Sequence, residues 1–296
     1  MSLIAAPELR FCDRAAIQPY LQQIDEWLLP GAFYGAQHTW PQLYRSDGDG
    51  RFCALFDGER MLSHCAFRIA TAHTECGARR VGMLGSVATD PEFRGHGFAQ
   101  RVVRASLDAC RQSGATSALL WAESPNLYTH CGFGPGADET CCVIESSGGA
   151  LTADVVRLAT IRDHAQLCAL HEQKPLRLDR SPRAMSALLT TPGLFTYVLE
   201  RDSDVIAYAC TGKGADLHGW WHEFGGPDLD VAALLPRALE LAGHSQAIVI
   251  VPPYRTTLVP ALGSACIEVA TVAGPMVAAL TDEVAAAVFV DGLDSV

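Results

Sequence analysis

VGMLGSVATDPEFRGHGFAQRVVRASLDA, residues 81–109, decides how the chain is read. It runs as a strand, a glycine-punctuated turn and an amphipathic helix. Residues 83–89 are apolar or small, with Val87 β-branched, and end at the turn signal Asp90-Pro91, which predicts a buried strand. From Phe98 a helical pattern takes over. Phe98, Val102, Ala105 and Ala109 share one face, with Val103, Leu107 and Cys110 beside them, while Arg101, Arg104 and Arg111 project elsewhere. Between strand and helix stand Arg94-Gly95-His96-Gly97-Phe98-Ala99. A helix N-terminus leaves N–H groups unpaired, glycines let an anion approach the main chain, and the helix dipole favours negative charge there. Arg94 adds a full positive charge. The pattern points to a pyrophosphate cradle made of main chain. It is not a dinucleotide fingerprint, because a third glycine and a following acidic strand end are missing, nor a phosphate loop, because no Lys-Ser/Thr follows.

Arg94, Gly97 and Ala99 fit the pattern Arg/Gln-x-x-Gly-x-Gly/Ala, and the segment resembles motif A of the GNAT (GCN5-related) N-acetyltransferases. Residues 87–95, VATDPEFRG, resemble that family's approach to the loop over their full length. A second word, Asn126-Leu127-Tyr128-Thr129-His130-Cys131-Gly132-Phe133, is similar to the family's Asn-x-x-Tyr-x-x-x-Gly-Phe, with one residue fewer before the tyrosine. The resemblance implies acetyl transfer from acetyl-CoA, the acyl donor, to an amine by direct attack, without a covalent enzyme intermediate and without a metal. It implies that Val87, Ala88 and Thr89 pair with the pantetheine amides. Arg94, Gly95, His96, Gly97, Phe98 and Ala99 would then hold the pyrophosphate, with Asn126 nearby. Tyr128 stands where the family places the acid for the leaving thiolate; the other reading of Tyr128 is packing against the cofactor chain. Glu123, just after a buried strand, is the candidate base, against a plain surface or capping carboxylate.

Composition bounds the alternatives. The chain has 296 residues, 49% hydrophobic and 19% charged, which supports packed cores rather than disorder. No run of eighteen apolar residues exists and the start lacks the features of a signal peptide, so the expectation is a cytoplasmic protein without a membrane partner. The net charge of −11 argues against nucleic acid and suits a cationic amine. Eleven cysteines, an odd number without a CxxC pair, read as small buried hydrophobes.

Outward from the opening stretch, residues 8–11 read as a strand, Asp13 as the N-cap of a helix reaching about Leu28, and residues 51–56 and 60–70 as a hairpin. The aromatic stretch 32–50 is either a wall of the substrate cleft or packing over a core. Residues 118–122 form a buried strand, and a short helix carries Leu127 and Tyr128. Past Gly148-Gly149 the order begins again. Residues 155–158, 197–210, 234–241 and 247–251 repeat the opening strand, the hairpin (52–65), the long helix and the buried strand. The expected architecture is α/β (α+β): two tandem GNAT-like domains, each a mixed, mostly antiparallel sheet flanked by helices. Residues 1–148 form the catalytic domain and residues 150–296 a degenerate one.

The second copy has His222-Glu223-Phe224-Gly225-Gly226-Pro227 where the first has its cradle, with no basic residue. Three uses stay open for it: packing, walling the acceptor cleft, or homodimer contacts. His218 and His222 are four apart, but Gly219-Trp220-Trp221 between them reads as strand or loop, which speaks against a metal site. The tandem form resembles the enhanced-intracellular-survival group, whose third domain would begin where this sequence stops. In that group a free C-terminal carboxylate serves as base, which adds Val296 as a candidate. Two further readings remain: a non-catalytic acyl-CoA-binding or regulatory module, and a tandem acyltransferase using aminoacyl-tRNA.

Overall fold

The computed structural model describes residues 6–146, 154–282 and 288–296. Its strands are β1 (Glu8–Cys12), β2 (Arg51–Asp57), β3 (Arg60–Thr74), β4 (Gly77–Thr89), β5 (Ser117–Leu120), β6 (Gly134–Pro135) and β7 (Glu139–Glu145), then β8 (Val155–Leu158), β9 (Arg177–Leu178), β10 (Phe195–Arg201), β11 (Asp204–Lys213), β12 (Asp216–Gly225), β13 (Gln246–Val251), β14 (Cys266–Val272) and β15 (Met276–Ala279). They form two sheets. The first runs β1-β2-β3-β4-β5-β15-β6, with β9 added beside β3; the second runs β14-β7-β13-β12-β11-β10-β8. Each has one parallel pair, β4/β5 and β12/β13, among antiparallel neighbours. This is the mixed, mostly antiparallel, helix-flanked pair of sheets expected from the repeated element order.

The repeat is visible in space. The helix Phe98–Gln112 covers β2 to β5 in the first half, and the helix Asp228–Leu241 packs on β10 and β11 in the second. On the first helix the buried stripe is Phe98, Val102, Val103, Ser106, Leu107 and Cys110, with Ala105 and Ala109 at its margin. The stripe is thus rotated slightly from the face centred on Ala105. Gly82 of β4 permits this approach: a Cβ there would lie 2.7 Å from Cys110 Sγ. Fully burying side chains such as Val102, Val103 and Leu107 contributes about 1.5–3 kcal/mol each before entropy is counted.

Two strands cross between the halves. β7 pairs with β13 and β14 in the second sheet, and β15 returns to pair with β5 and β6 in the first. The expected boundary at residues 148–150 lies outside the described residues, and the sheets do not follow it. Residues 139–145 lie before that boundary yet complete the second sheet, and residues 276–279 lie after it yet complete the first. No helix among the described residues is long and apolar enough to cross a membrane.

Candidate active site

The site begins where β4 and β5 part. They pair in parallel only at Val81↔Ser117, Gly82↔Ala118 and Met83↔Leu119. β4 continues to Thr89, whereas β5 stops at Leu120, so residues 84–89 of β4 lose their neighbour on that side. A register shift against β3 falls at the same place, between the pairs His64↔Ala88 and Ala66↔Gly85. Ser86 there has a φ of 51°, in the left-handed region. Two buried side chains hold this bulge. The Tyr44 hydroxyl lies 2.5 Å from Ser86 Oγ, and His64 Nδ1 donates to the Ser86 carbonyl oxygen at 2.9 Å. Burial lowers the His64 pKa to about 4, so the ring is neutral at pH 7.

Past the bulge, β4 leads through Asp90 and a 3₁₀ turn (Pro91–Phe93) into the glycine loop. The Asp90 side chain caps that turn by accepting from the Glu92 N–H at 3.0 Å. Asp90 and Glu92 both pair with Arg60, at 2.7 and 2.6 Å, so the two acids nearest the loop share one cation. Gly97 is the N-cap of the helix Phe98–Gln112, with φ 76°, no side-chain cap and no acidic residue in the first turn. An N-terminus without an internal anion is open to an external one. Nothing lies within 4 Å of the Cβ positions of Gly95 and Gly97.

A cavity of about 690 Å³ follows this surface. Val87, Ala88 and Thr89 line it, as do Arg94, Gly95, Gly97, Phe98 and Ala99. His96 is not among its lining residues. The His96 ring turns back on the loop, where Nδ1 donates to the carbonyl oxygens of Phe93 and Arg94 at 3.1 and 3.2 Å. Glu123, Ser124 and Leu127 join this cavity to a second of about 890 Å³, which Asn126 and Tyr128 also line. Asn126 is exposed, and its carbonyl accepts from Thr129 Oγ1. Tyr128 packs edge-on against Phe133, and burial raises its phenol well above the usual value, so it is protonated at pH 7.

The second cavity carries carboxylates at Glu123, Asp138 and Asp216, and no basic side chain among its described lining residues. Trp40 and Trp121 form part of its wall. Of the aromatic stretch at residues 32–50, Trp40 thus faces the cleft. Tyr44 sits behind it in the core, and Phe33 is 92% exposed on the outside. Val296 also lines this cavity. A Cβ added at Gly85 would collide with the Val296 main chain, so the last residues lie directly on the bulged strand. Gly85, Ser86 and His64 were not singled out in the sequence, and Tyr44 only as one aromatic of the stretch at residues 32–50, where its reading as core packing holds. Their placement depends on a cross-strand register shift, for which the sequence carries no local signal.

A group of potential metal ligands, His171, Glu223 and Asp291, lies buried in the second half, with ligand atoms within 4.8 Å of one another. The Lys174 ammonium is 2.9 Å from Asp291, and the Arg180 guanidinium is 2.5 Å from Glu223. Lys174 and Arg180 thus already supply the positive charge that balances these carboxylates, although Asp291 Oδ1 and His171 Nδ1 have no hydrogen-bond partner among the described residues. His222 is buried on β12 with Nε2 on the Gly212 carbonyl oxygen, away from the exposed His218.

Residues 30–136 match the family model described as an acetyltransferase (GNAT) domain. No curated protein matches the chain. Among solved structures the chain is similar to a GCN5-related N-acetyltransferase from Kribbella flavida, at 17% identity and TM-score 0.66, covering 92% of this chain and 72% of that one. It is similar to another from Anabaena variabilis, at 11% identity and TM-score 0.70, covering 93% and 73%. A third is Eis1 from Mycobacterium abscessus, at 13% identity and TM-score 0.63, covering 92% and 74%. At such identities the likeness speaks for the fold alone, while the family match speaks for the segment that holds the loop and the splay. Residues 30–136 thus carry the match to a GNAT acetyltransferase domain, within a two-sheet fold similar to that of solved GCN5-related N-acetyltransferases.

Proposed function

We propose that the first half transfers an acetyl group from acetyl-CoA to a primary amine by direct attack. The observation that carries this is the joined pair of cavities. One runs along the unpaired edge of β4 to an uncapped helix N-terminus; the other is acidic and opens at the point where the strands part. In this reading the pantetheine amides pair with residues 87–89 as an added strand. The pyrophosphate sits on the N–H groups at residues 97–99, with Arg94 beside them. The thioester then lies at the splay. An amine drawn into the acidic cavity meets it there, and holding both together supplies much of the rate, on the order of 7–11 kcal/mol in favourable intramolecular cases.

Two protons must move. The neutral Tyr128 phenol is suited to donate a hydrogen bond to the departing sulfur, not to act as a base. The ammonium must lose its proton to a carboxylate, and Glu123 lines both cavities. Val296 lines the same acidic cavity and lies against Gly85. Asn126 and His96 take supporting places at the rim, on their main-chain hydrogen bonds.

The test is thiol release from acetyl-CoA with benzylamine, lysine amide and spermidine as acceptors. Turnover with at least one amine is expected, and Tyr128→Phe should lower kcat about 100-fold, the low end of general-acid effects. Tight acetyl-CoA binding without turnover on any amine would instead favour a non-catalytic acyl-CoA-binding module.

A further inference from the structure

The second copy has its own splay, and it is filled. β12 and β13 pair in parallel at Trp220↔Ile248 and Trp221↔Val249 and then diverge. His222, the first residue past that point, therefore corresponds to Leu84 in the first copy. The Gly292 N–H donates to the His222 carbonyl oxygen at 3.1 Å. A Cβ on Gly292 would lie 2.5 Å from the His222 ring, so the tail main chain is laid directly on the strand. Phe289 packs edge-on against Tyr254, just past β13, and Leu293 is fully buried against Tyr208 and Met185. The last residues thus occupy the gap between diverging strands, the same place that the acyl donor takes in the proposed reading of the first copy.

The hold on this tail is polar and deeply buried. Lys174 pairs with Asp291 at 2.9 Å, and Arg180 pairs with Asp294 at 2.8 Å while also holding Glu223. Lys213 donates to the carbonyl oxygens of Gly292 and Ser295 at 2.9 and 2.7 Å, and to Ser295 Oγ at 2.7 Å. From the first half, Gln42 Nε2 donates to the carbonyl oxygens of Leu293, Asp294 and Ser295 at 3.3, 3.3 and 3.0 Å. One residue further, Val296 lies against Gly85 in the cleft of the first copy. Three residues, 293–295, therefore link the splay of one copy to the splay of the other. The two charged side chains of the tail, Asp291 and Asp294, each have a cation beside them, as burial requires.

We propose that the second copy is a clamp: its cleft is closed to an acyl-CoA because it holds residues 289–296, and by holding them it sets Val296 as the wall against which the acceptor amine is placed. Lys213 and Gln42 are positioning residues for the acceptor, acting through the tail. The part of this that concerns the acceptor rests on the proposed acetyl transfer; the clamp itself does not.

The test uses the full chain with Lys213→Met, which keeps length and apolar bulk but removes three hydrogen bonds, and separately Gln42→Leu. Three quantities are read: amide hydrogen exchange, the acetyl-CoA Kd by calorimetry, and the KM of the fastest amine among benzylamine, lysine amide and spermidine. Exchange across residues 292–295 should rise about tenfold or more as the tail loosens. The acetyl-CoA Kd should stay within about twofold, while the amine KM rises about tenfold. That split is not what a general loss of stability gives. Should Lys213→Met fail to fold, Gln42→Leu carries the same expectation from the first half. A loosened tail with an unchanged amine KM overturns the proposal, and so does undiminished protection of residues 292–295 in both variants. If wild type neither binds acetyl-CoA nor releases CoA, the acetyl-transfer reading has failed. The clamp is then judged by exchange alone: loss of protection at residues 292–295 together with residues 84–88 supports it, and protection kept at either overturns it.

Discussion

Ser86 holds a left-handed backbone that a non-glycine residue adopts only when its surroundings impose it. Tyr44 and His64 impose it here, one on the side chain and one on the carbonyl, and the bulge turns the end of β4 out of its ladder. Keeping His64 neutral and buried has a thermodynamic consequence. Its pKa is lowered by burial to about 4, as is that of the fully buried His222. In the unfolded chain both return to about 6.5, so between pH 6.5 and 4 the unfolded state binds more protons. The stability they contribute is present above pH 6.5 and lost as pH falls towards 4, on the order of 2 kcal/mol for each histidine by pH 5. Asp291, raised by burial to about 6, works in the opposite sense, because its contribution is present below about pH 4 and lost as pH rises through 6. Two histidines outweigh one carboxyl. Thermal melts should therefore give a lower Tm at pH 5 than at pH 7.5, with a smaller difference in His64→Gln. A Tm that rises on acidification would contradict these assignments. The placement of Gly97 at a helix start and of Tyr128 on a short helix beside the cleft could be read from the sequence, because the signals are local: glycines before a helical pattern, and a tyrosine in a recognisable word. The roles of Ser86, Tyr44 and His64 could not, since they arise from residues 22 and 42 positions apart meeting in space, His64 from the neighbouring strand and Tyr44 from the end of a short helix.

Most elements are where periodicity puts them. The strand and helix of the opening stretch, the hairpin and its repeat follow the spacing of their apolar residues. The exchange of β7 and β15 was not legible. Short apolar runs such as Thr140 to Ile144 and Met276 to Ala279 say that a strand forms, not which sheet receives it. Partner choice is settled by which edge the chain can reach, and β5 and β13 each offer one. β15 is central to the site because it is the neighbour that β5 keeps on the side away from β4. Its Ala278 is almost fully buried within the cluster under the helix Phe98–Gln112. Ala278→Asp should cost about 3–5 kcal/mol, the scale of an uncompensated buried charge. A substitution 190 positions from Ala88 in sequence should then weaken acetyl-CoA binding by loosening β5. Calorimetry at a temperature where the variant is still folded checks this, and unchanged stability would show that β15 does not complete the first sheet.

The two strands that cross make the halves one molecule. Met276, Ala278 and Leu280 belong to the core of the first half, and Cys142 and Ile144 to that of the second. Gln42 and Lys213 meet on the same stretch of tail from opposite sides. Unfolding should accordingly be one cooperative transition in scanning calorimetry. A fragment of residues 1–146 expressed alone should remain unfolded or aggregate, because its first sheet lacks β15 and its β7 is left without a partner. Two separate transitions, or a well-folded fragment, would show the halves to be independent.

At this largest scale the proposed function requires that the first copy bind acetyl-CoA along β4 and at the bare helix start, and that the second copy not bind it. The most direct measurement is calorimetric titration of acetyl-CoA into wild type and Gly97→Asp, each shown to be folded by circular dichroism. Gly97 has open space around it, so the carboxylate meets no neighbour. It places negative charge on the cradle and, at φ 76°, strains only the helix cap. A single site per chain with micromolar affinity is expected in wild type, and its loss in Gly97→Asp. No binding to folded wild type, or equal binding by both proteins, would contradict it.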